Sequence, residues 1–295
     1  MIEGKPSRTA GYAAEVRAVE STRPAHQRVC YDPLAKYFLS RPRRLLITNR
    51  FIAEAVLWLL GWRVFPDAVD EVLVRTRYID DYLQECIGNG IRQLVILGAG
   101  YDCRAYRIEG LKGMVRVFEV DYPATQKVKM EKIKRIFGSL PEDVIYVPID
   151  LVKEKLSQRL LESGYDTNLK TLFIWEGVTA YLTAYAVDET LAFVVNNSGE
   201  GSSIIFNYAY QSLVDGSCEL EGAKKTREGV ARDGEPYTFG IGEGAIEEFL
   251  SDRGFWQINN ATLEFLKSTY LNGRIHARKV IPFCSIVHAE VRPGA

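Results

Sequence analysis

From residue 92 onward, short apolar runs alternate with segments of helical period. The runs are LVILG (94–98), VRVFEVD (115–121), VIYVPID (144–150), TLFIWEG (171–177), SSIIFNY (202–208), WQINNAT (256–262) and FCSIVHAEV (283–291). Between them, ATQKVKMEKIKRIF (124–137) and AVDETLAFVVNNS (186–198) repeat apolar residues at three- and four-residue spacing. This alternation predicts an α/β fold, a mostly parallel seven-stranded sheet with helices on both faces. VIL and LFIW are continuously apolar, as strands buried on both sides should be. Residues 7 to about 90 read differently. EVRAVESTR, DPLAKYFLS, RFIAEAVLWLL and EVLVRTRYIDDYLQECI all have helical spacing. Asp32 before Pro33 reads as an N-cap with proline at the first helical position, and Gly88 and Gly90 stop the last helix. Residues 1–90 are therefore expected to be helical and 91–295 to form the α/β unit. The glycine-rich, polar stretch 209–240 reads as a mobile loop or a small insertion over the active site.

Composition narrows the function classes. The 295 residues carry a net charge of −1, which predicts no general attraction to nucleic acid or to an anionic membrane. The locally basic RPRRLLITNR (41–50) reads as a solvated helix end or an internal contact. FIAEAVLWLLGW (51–62) falls short of the about 20 residues a membrane span needs, and Glu54 interrupts it. MIEGKPSRTAGY has no apolar region of a secretory signal, so none is expected. The cysteines (30, 86, 103, 218 and 284) form no Cys-x-x-Cys pair, which points to reduced thiols in a cytoplasm. The histidines (26, 276 and 288) lack metal-ligand spacing, and no metal is expected.

The first strand runs into Gly98-Ala99-Gly100, and the second ends in Glu119 and Asp121. Ligands of open α/β sheets bind beyond the carboxyl ends of the strands, and an acid about 20 residues past the glycines accepts from ribose hydroxyls. A dinucleotide site asks for a third glycine where this chain has Cys103. Asp102 beside it would repel a pyrophosphate and would suit a ligand with an ammonium or sulfonium group. S-adenosylmethionine offers both, with a ribose, so the turn favours a methyl donor over NAD. Each residue also has a plainer reading: a tight turn at the glycines, a helix N-cap at Asp102, strand-end charges at Glu119 and Asp121, a cap at Asp150. Glu176, beside Trp175 in an apolar strand, is the least easily explained that way, because burying an unpartnered carboxylate is costly.

The set SRTAGYAAEVRAVE (7–20), YDPLA (31–35), RTRYIDDYL (75–83), VILGAGYDCRAYR (95–107), VFEVDYPATQ (117–126), VPIDL (147–151) and LFIWEGVTAYL (172–182) resembles the leucine carboxyl methyltransferase-like group of class I S-adenosylmethionine-dependent methyltransferases. The resemblance covers most of the chain to about residue 208. It implies a Rossmann-like class I methyltransferase fold over 91–295 with a helical N-terminal cover over 1–90, one integrated domain, with S-adenosylmethionine as donor and S-adenosylhomocysteine as product. It implies that Arg75, with Arg77 as second candidate, binds the carboxylate of the methionine part. Gly98 and Gly100 would line that part, with Asp102 nearby. Asp121 would hold the ribose with Glu119 close by, and Asp150 and Leu151 would flank the adenine. Glu176 would face the amino end and the acceptor. The family usually has Thr or Ser at Cys103 and often Met at Ala180, and the smaller Ala180 would enlarge the acceptor pocket. A carboxylate acceptor is already ionised at pH 7, whereas a hydroxyl benefits from a base. Glu176, Tyr181 and Tyr208 are the nearest catalytic candidates by motif position. The expected reaction is O-methylation of a small-molecule carboxylate or hydroxyl. The alternatives are a protein C-terminal carboxylate as acceptor, a non-catalytic S-adenosylmethionine-binding module, or an NAD-dependent oxidoreductase, which Cys103 disfavours.

Overall fold

The computed structural model describes residues 6–47, 51–53, 55, 68–232, 234–271 and 283–294. Its sheet contains β1 (Gln93–Leu97), β2 (Arg116–Asp121), β3 (Val144–Pro148), β4 (Thr171–Trp175), β5 (Ser203–Ala209), β6 (Phe255–Thr262) and β7 (Cys284–Val291), ordered β3-β2-β1-β4-β5-β7-β6. The first five strands are parallel, and β7 runs antiparallel to both β5 and β6. Strand order reverses between β1 and β4. The loops leaving those two strands diverge there and open a crevice at the carboxyl edge, the usual ligand position in such sheets.

Alternate strand residues feed two cores. Leu94 and Ile96 of β1, Leu172 and Ile174 of β4, and Ile205 of β5 pack on one face. Val95, Leu97, Phe173, Trp175 and Phe206 pack on the other. This is why these strands read as unbroken apolar runs.

The helices are α1 (Arg8–Glu20), α2 (Arg41–Leu46), α3 (Ala68–Gly88), α4 (Arg104–Arg107), α5 (Pro123–Phe137), α6 (Leu156–Glu162), α7 (Ala184–Asn196), α8 (Gln211–Asp215), α9 (Glu221–Arg232), α10 (Ile246–Ser251) and α11 (Leu263–Tyr270). Ser7 caps α1 by accepting from the Ala10 N–H, and α5 begins at Pro123 and stops at Gly138, whose φ is +82°. Ile79 and Leu83 of α3 pack on the face of β1 and β4 that carries Leu94 and Leu172.

One expectation changes, and two are narrowed. DPLAKYFLS forms only a 3₁₀ turn, Ala35–Phe38. Asp32 does accept from the Leu34 and Ala35 N–H groups, but its other oxygen is taken by Arg17 of α1 at 3.0 Å, a tertiary contact that fixes the turn. Of the two readings of 209–240, the stretch holds α8 and α9, as a small insertion would, and not a mobile loop alone. RPRRLLITNR contributes α2, whose Arg43 donates to Glu15 at 2.7 Å, while its residues 48–50 lie outside the described residues. Most of FIAEAVLWLLGW also lies outside them. None of the five cysteines forms a disulfide. Among the described residues no helix is long and apolar enough to cross a membrane, and no His, Cys, Asp and Glu group is arranged for a metal ion.

Candidate active site

A cavity of about 520 Å³ opens at the carboxyl edge of β1–β4. Its floor is the run Gly98–Asp102 after β1, Asp121 and Tyr122 after β2, residues 149–153 after β3, and Glu176–Val178 after β4. Its roof is α1, the first turns of α3 and the segment carrying α8 and α9.

The two glycines of the first turn have definite jobs. Gly98 has φ +66°, and a Cβ there would stand 2.3 Å from Val178 Cγ2. Gly100 has φ +42°, and its Cβ would meet the Ala10 Cβ of α1 at 3.2 Å. They let the β4 loop and α1 close on the turn, which is a different close approach from the ligand contact the sequence suggests. Arg17 of α1 donates from Nη2 to the Tyr101 carbonyl at 2.7 Å and ties the roof to the same turn. Cys103, at the dinucleotide motif's third glycine, is buried beneath it, its thiol donating to the Tyr101 carbonyl at 3.5 Å.

Asp121 is buried at the end of β2. It accepts from the Gly100 N–H at 2.8 Å and from the Tyr122 N–H at 2.7 Å. Burial pushes its carboxyl up to about 6, against the opposing pull of those N–H groups and of Lys129. Asp150 accepts from the Val152 N–H at 3.1 Å and, with Leu151, lines the cavity after β3.

The far wall is a buried ion network. Arg75 on α3 donates to Glu176 at 2.9 Å and to Glu71 at 2.7 Å. Its Nη2 has no hydrogen-bond partner among the described residues. Burial favours the neutral acid at Glu176, but the Arg104 and Arg75 guanidiniums outweigh it and hold the carboxyl well below the usual range. At Asp102, burial is likewise outweighed by Arg104, and its carboxyl is also lowered. Glu176 is therefore an ionised anchor and a poor proton acceptor.

Of the residues singled out in sequence, Arg75, Gly98, Gly100, Asp102, Asp121, Asp150, Leu151, Glu176 and Tyr181 all line the cavity. Arg77, Glu119 and Tyr208 do not. Arg77 lies two residues beyond Arg75 on α3, on the exposed side, where it pairs with Asp81 at 2.8 Å. Glu119 is one pleat below Asp121 and fully buried, pairing with Lys129 of α5 at 2.8 Å and accepting from Tyr106 at 2.9 Å. Burial pushes its carboxyl up to about 7 despite Lys129. Tyr208 points to the opposite face of β5, into the second core, and donates to Asn260 at 3.3 Å.

The cavity-facing neighbour on that strand is Asn207, which the sequence reading misses. It accepts from the Gly177 N–H at 2.6 Å and so shapes the β4 loop. The period of two along SSIIFNY is the signal that separates it from Tyr208. Burial keeps Tyr181 protonated, so it acts as a donor and not as a base; its ring lies 5.3 Å from that of Tyr237. Tyr237 and Glu235, which follow α9, also line the cavity, and no motif marks them.

The donor set fits S-adenosylmethionine. A buried acid stands at the end of β2, apolar Ile149 and Leu151 line the cavity after β3, and a guanidinium with an unused Nη2 is held by two carboxylates.

Comparison with known proteins agrees. The leucine carboxyl methyltransferase family model matches residues 10–195. The Bacillus subtilis "Putative S-adenosyl-L-methionine-dependent methyltransferase YktD" is 29% identical over 217 residues, covering 74% of this chain and 71% of that protein. The Streptomyces coelicolor "Putative S-adenosyl-L-methionine-dependent methyltransferase SCO7813" is 32% identical over 216 residues, covering 70% of each. A crystal structure of a "putative methyltransferase" from Thermobifida fusca superposes with a TM-score of 0.58 at 13% identity, over 99% of this chain and 97% of that one, a likeness of fold. The chain belongs to the leucine carboxyl methyltransferase family, has the Rossmann-like class I fold, and is an S-adenosylmethionine-dependent methyltransferase.

Proposed function

We propose that this enzyme O-methylates a hydroxyl or carboxylate of a small molecule, with the cofactor along the carboxyl edge of β1–β4. Asp121 takes the ribose hydroxyls, and Asp150 and Leu151 flank the adenine. Arg75 takes the amino-acid carboxylate through Nη2, and Glu176 and Asp102 face the ammonium. Bound S-adenosylmethionine supplies a methyl group on a sulfonium, an electrophile that needs no further activation. The chain's own task is to hold the acceptor oxygen in line with that methyl and to keep water out, which is worth several kcal/mol.

The observation that carries this reading is the aromatic and acidic lining of the cavity beyond Arg75 and Glu176. Tyr12, Tyr181, Tyr237, Glu71 and Glu235 form it. Thr9, beside the start of α1, donates to Glu235 at 2.6 Å, so the N-terminal cover and the segment after α9 meet across the top. A cavity of about 520 Å³ crossed by this contact supports a small acceptor over a protein C-terminus. A hydroxyl acceptor would bond to the Tyr181 and Tyr237 phenols, with Glu235 in the same lining as the proton acceptor. A carboxylate would need no base.

The test is a screen of small acids, alcohols and phenols beside C-terminal peptides, using methyl-labelled S-adenosylmethionine. Label in a small product that survives alkali marks an ether, and alkali-labile label marks an ester. Label found only in peptides, or only on nitrogen or sulfur, would refute the proposal.

A further inference from the structure

Arg104 stands at the start of α4, is 2% exposed, and lies behind the cavity wall. Two of its nitrogens anchor it to α3: Nε donates to Asp80 at 2.7 Å and Nη2 to the Thr76 carbonyl at 3.3 Å. The third, Nη1, donates to Asp102 at 2.5 Å and to Glu176 at 2.6 Å. One nitrogen thus joins the loop after β1 to the loop after β4, across the crevice where the sheet reverses. Both acids line the cavity, and Arg104 does not. Two carboxylates gathered at one point repel each other unless a cation lies between them.

We propose that Arg104 is a positioning residue for the amino-acid end of the cofactor, holding Asp102 and Glu176 side by side as ionised acceptors for its ammonium group. This rests on the cofactor reading given above. Arg75 alone cannot do it, because it reaches Glu176 and Glu71 but not Asp102. Without Arg104 the two acids separate or share a proton, and the ammonium loses an acceptor. The ribose and adenine contacts are left in place, since Arg104 touches neither Asp121 nor the loop after β3.

That selectivity supplies the test. Arg104→Met and Arg104→Lys are titrated calorimetrically with S-adenosylhomocysteine and with 5′-methylthioadenosine, which has the nucleoside and sulfur but no amino-acid part. Arg104→Met should lose about 10- to 100-fold in affinity for the first ligand, the range of a charge-assisted hydrogen bond, and about twofold or less for the second. Arg104→Lys should recover part of the loss. Equal losses for both ligands would assign Arg104 a merely structural role and overturn the proposal, as would an unchanged affinity for S-adenosylhomocysteine. If Arg104→Met shows no cooperative unfolding transition, the ratio of the two affinities in Arg104→Lys decides. Failure of the unsubstituted protein to bind either ligand would instead overturn the cofactor site itself.

Discussion

With the cofactor placed as proposed, Asp121 sets the pH dependence of its binding. Its ionised form is the one that accepts from ribose hydroxyls, and burial has pushed the carboxyl up to about 6. Affinity for S-adenosylhomocysteine should therefore be level above about pH 6 and fall by up to tenfold per unit below it. Titrations between pH 5 and 8 should show this break in the natural protein and a flat profile in Asp121→Asn. Stability follows the opposite sign. The folded state holds this proton more tightly than the unfolded chain, so the group's contribution is lost as pH rises from 3.8 to about 6. A second pair of substitutions separates site from core. Tyr208→Phe should cost about 1 kcal/mol of stability with S-adenosylhomocysteine affinity unchanged. Tyr181→Phe should lower turnover of the acceptor and likewise leave that affinity alone; steady-state kinetics beside calorimetry checks both. At this scale the motif residues were legible where a side chain's direction follows from its element's end. Asp121 is the last residue of β2, while Glu119, two residues back on the same face, is covered by Lys129 of α5. Nothing in VFEVD announces that cover. Arg77 and Tyr208 failed through rotation: two residues along a helix, or one along a strand, turns a side chain away.

The central strands β1 and β4 were legible as elements because burial on both faces leaves a continuous apolar run. Helix lengths were less so. DPLAKYFLS has helical spacing, but Arg17 draws Asp32 into a contact that shortens it to a 3₁₀ turn. The polar composition of 209–240 hid α8 and α9, which pack a few residues, Leu213 and Val230 among them, against the cavity. The turn after β1 makes a sharper prediction. Gly98→Ala places a methyl against Val178 in a left-handed backbone, so it should destabilise the protein by about 1–3 kcal/mol. Adding Val178→Ala should recover the contact part and leave the backbone part. Full recovery in chemical denaturation would show that the left-handed conformation costs nothing there.

Across the whole molecule, the α/β unit supplies the floor of the cavity, while α1, α3 and the segment carrying α8 and α9 supply the roof. Neither part makes the cavity alone. The contact between Thr9 and Glu235 links two stretches of roof 226 residues apart in sequence. Thr9→Val should loosen that link and speed S-adenosylhomocysteine release roughly fivefold, the kinetic equivalent of about 1 kcal/mol. Stopped-flow dissociation measures it, and an unchanged rate would mean the roof opens elsewhere. The division into cover and sheet was legible from the change of period near residue 92. How the cover sits on the sheet was not, because Thr9, Arg17 and Glu235 act through contacts distant in sequence.

The most direct test of the account is calorimetric titration of the purified protein with S-adenosylhomocysteine, beside an Asp121→Ala variant of matched folding. Micromolar binding at one site, lost in the variant, is the predicted result. A folded natural protein that binds no S-adenosylhomocysteine, or a variant that binds it equally well, would contradict the placement of the cofactor at the end of β2.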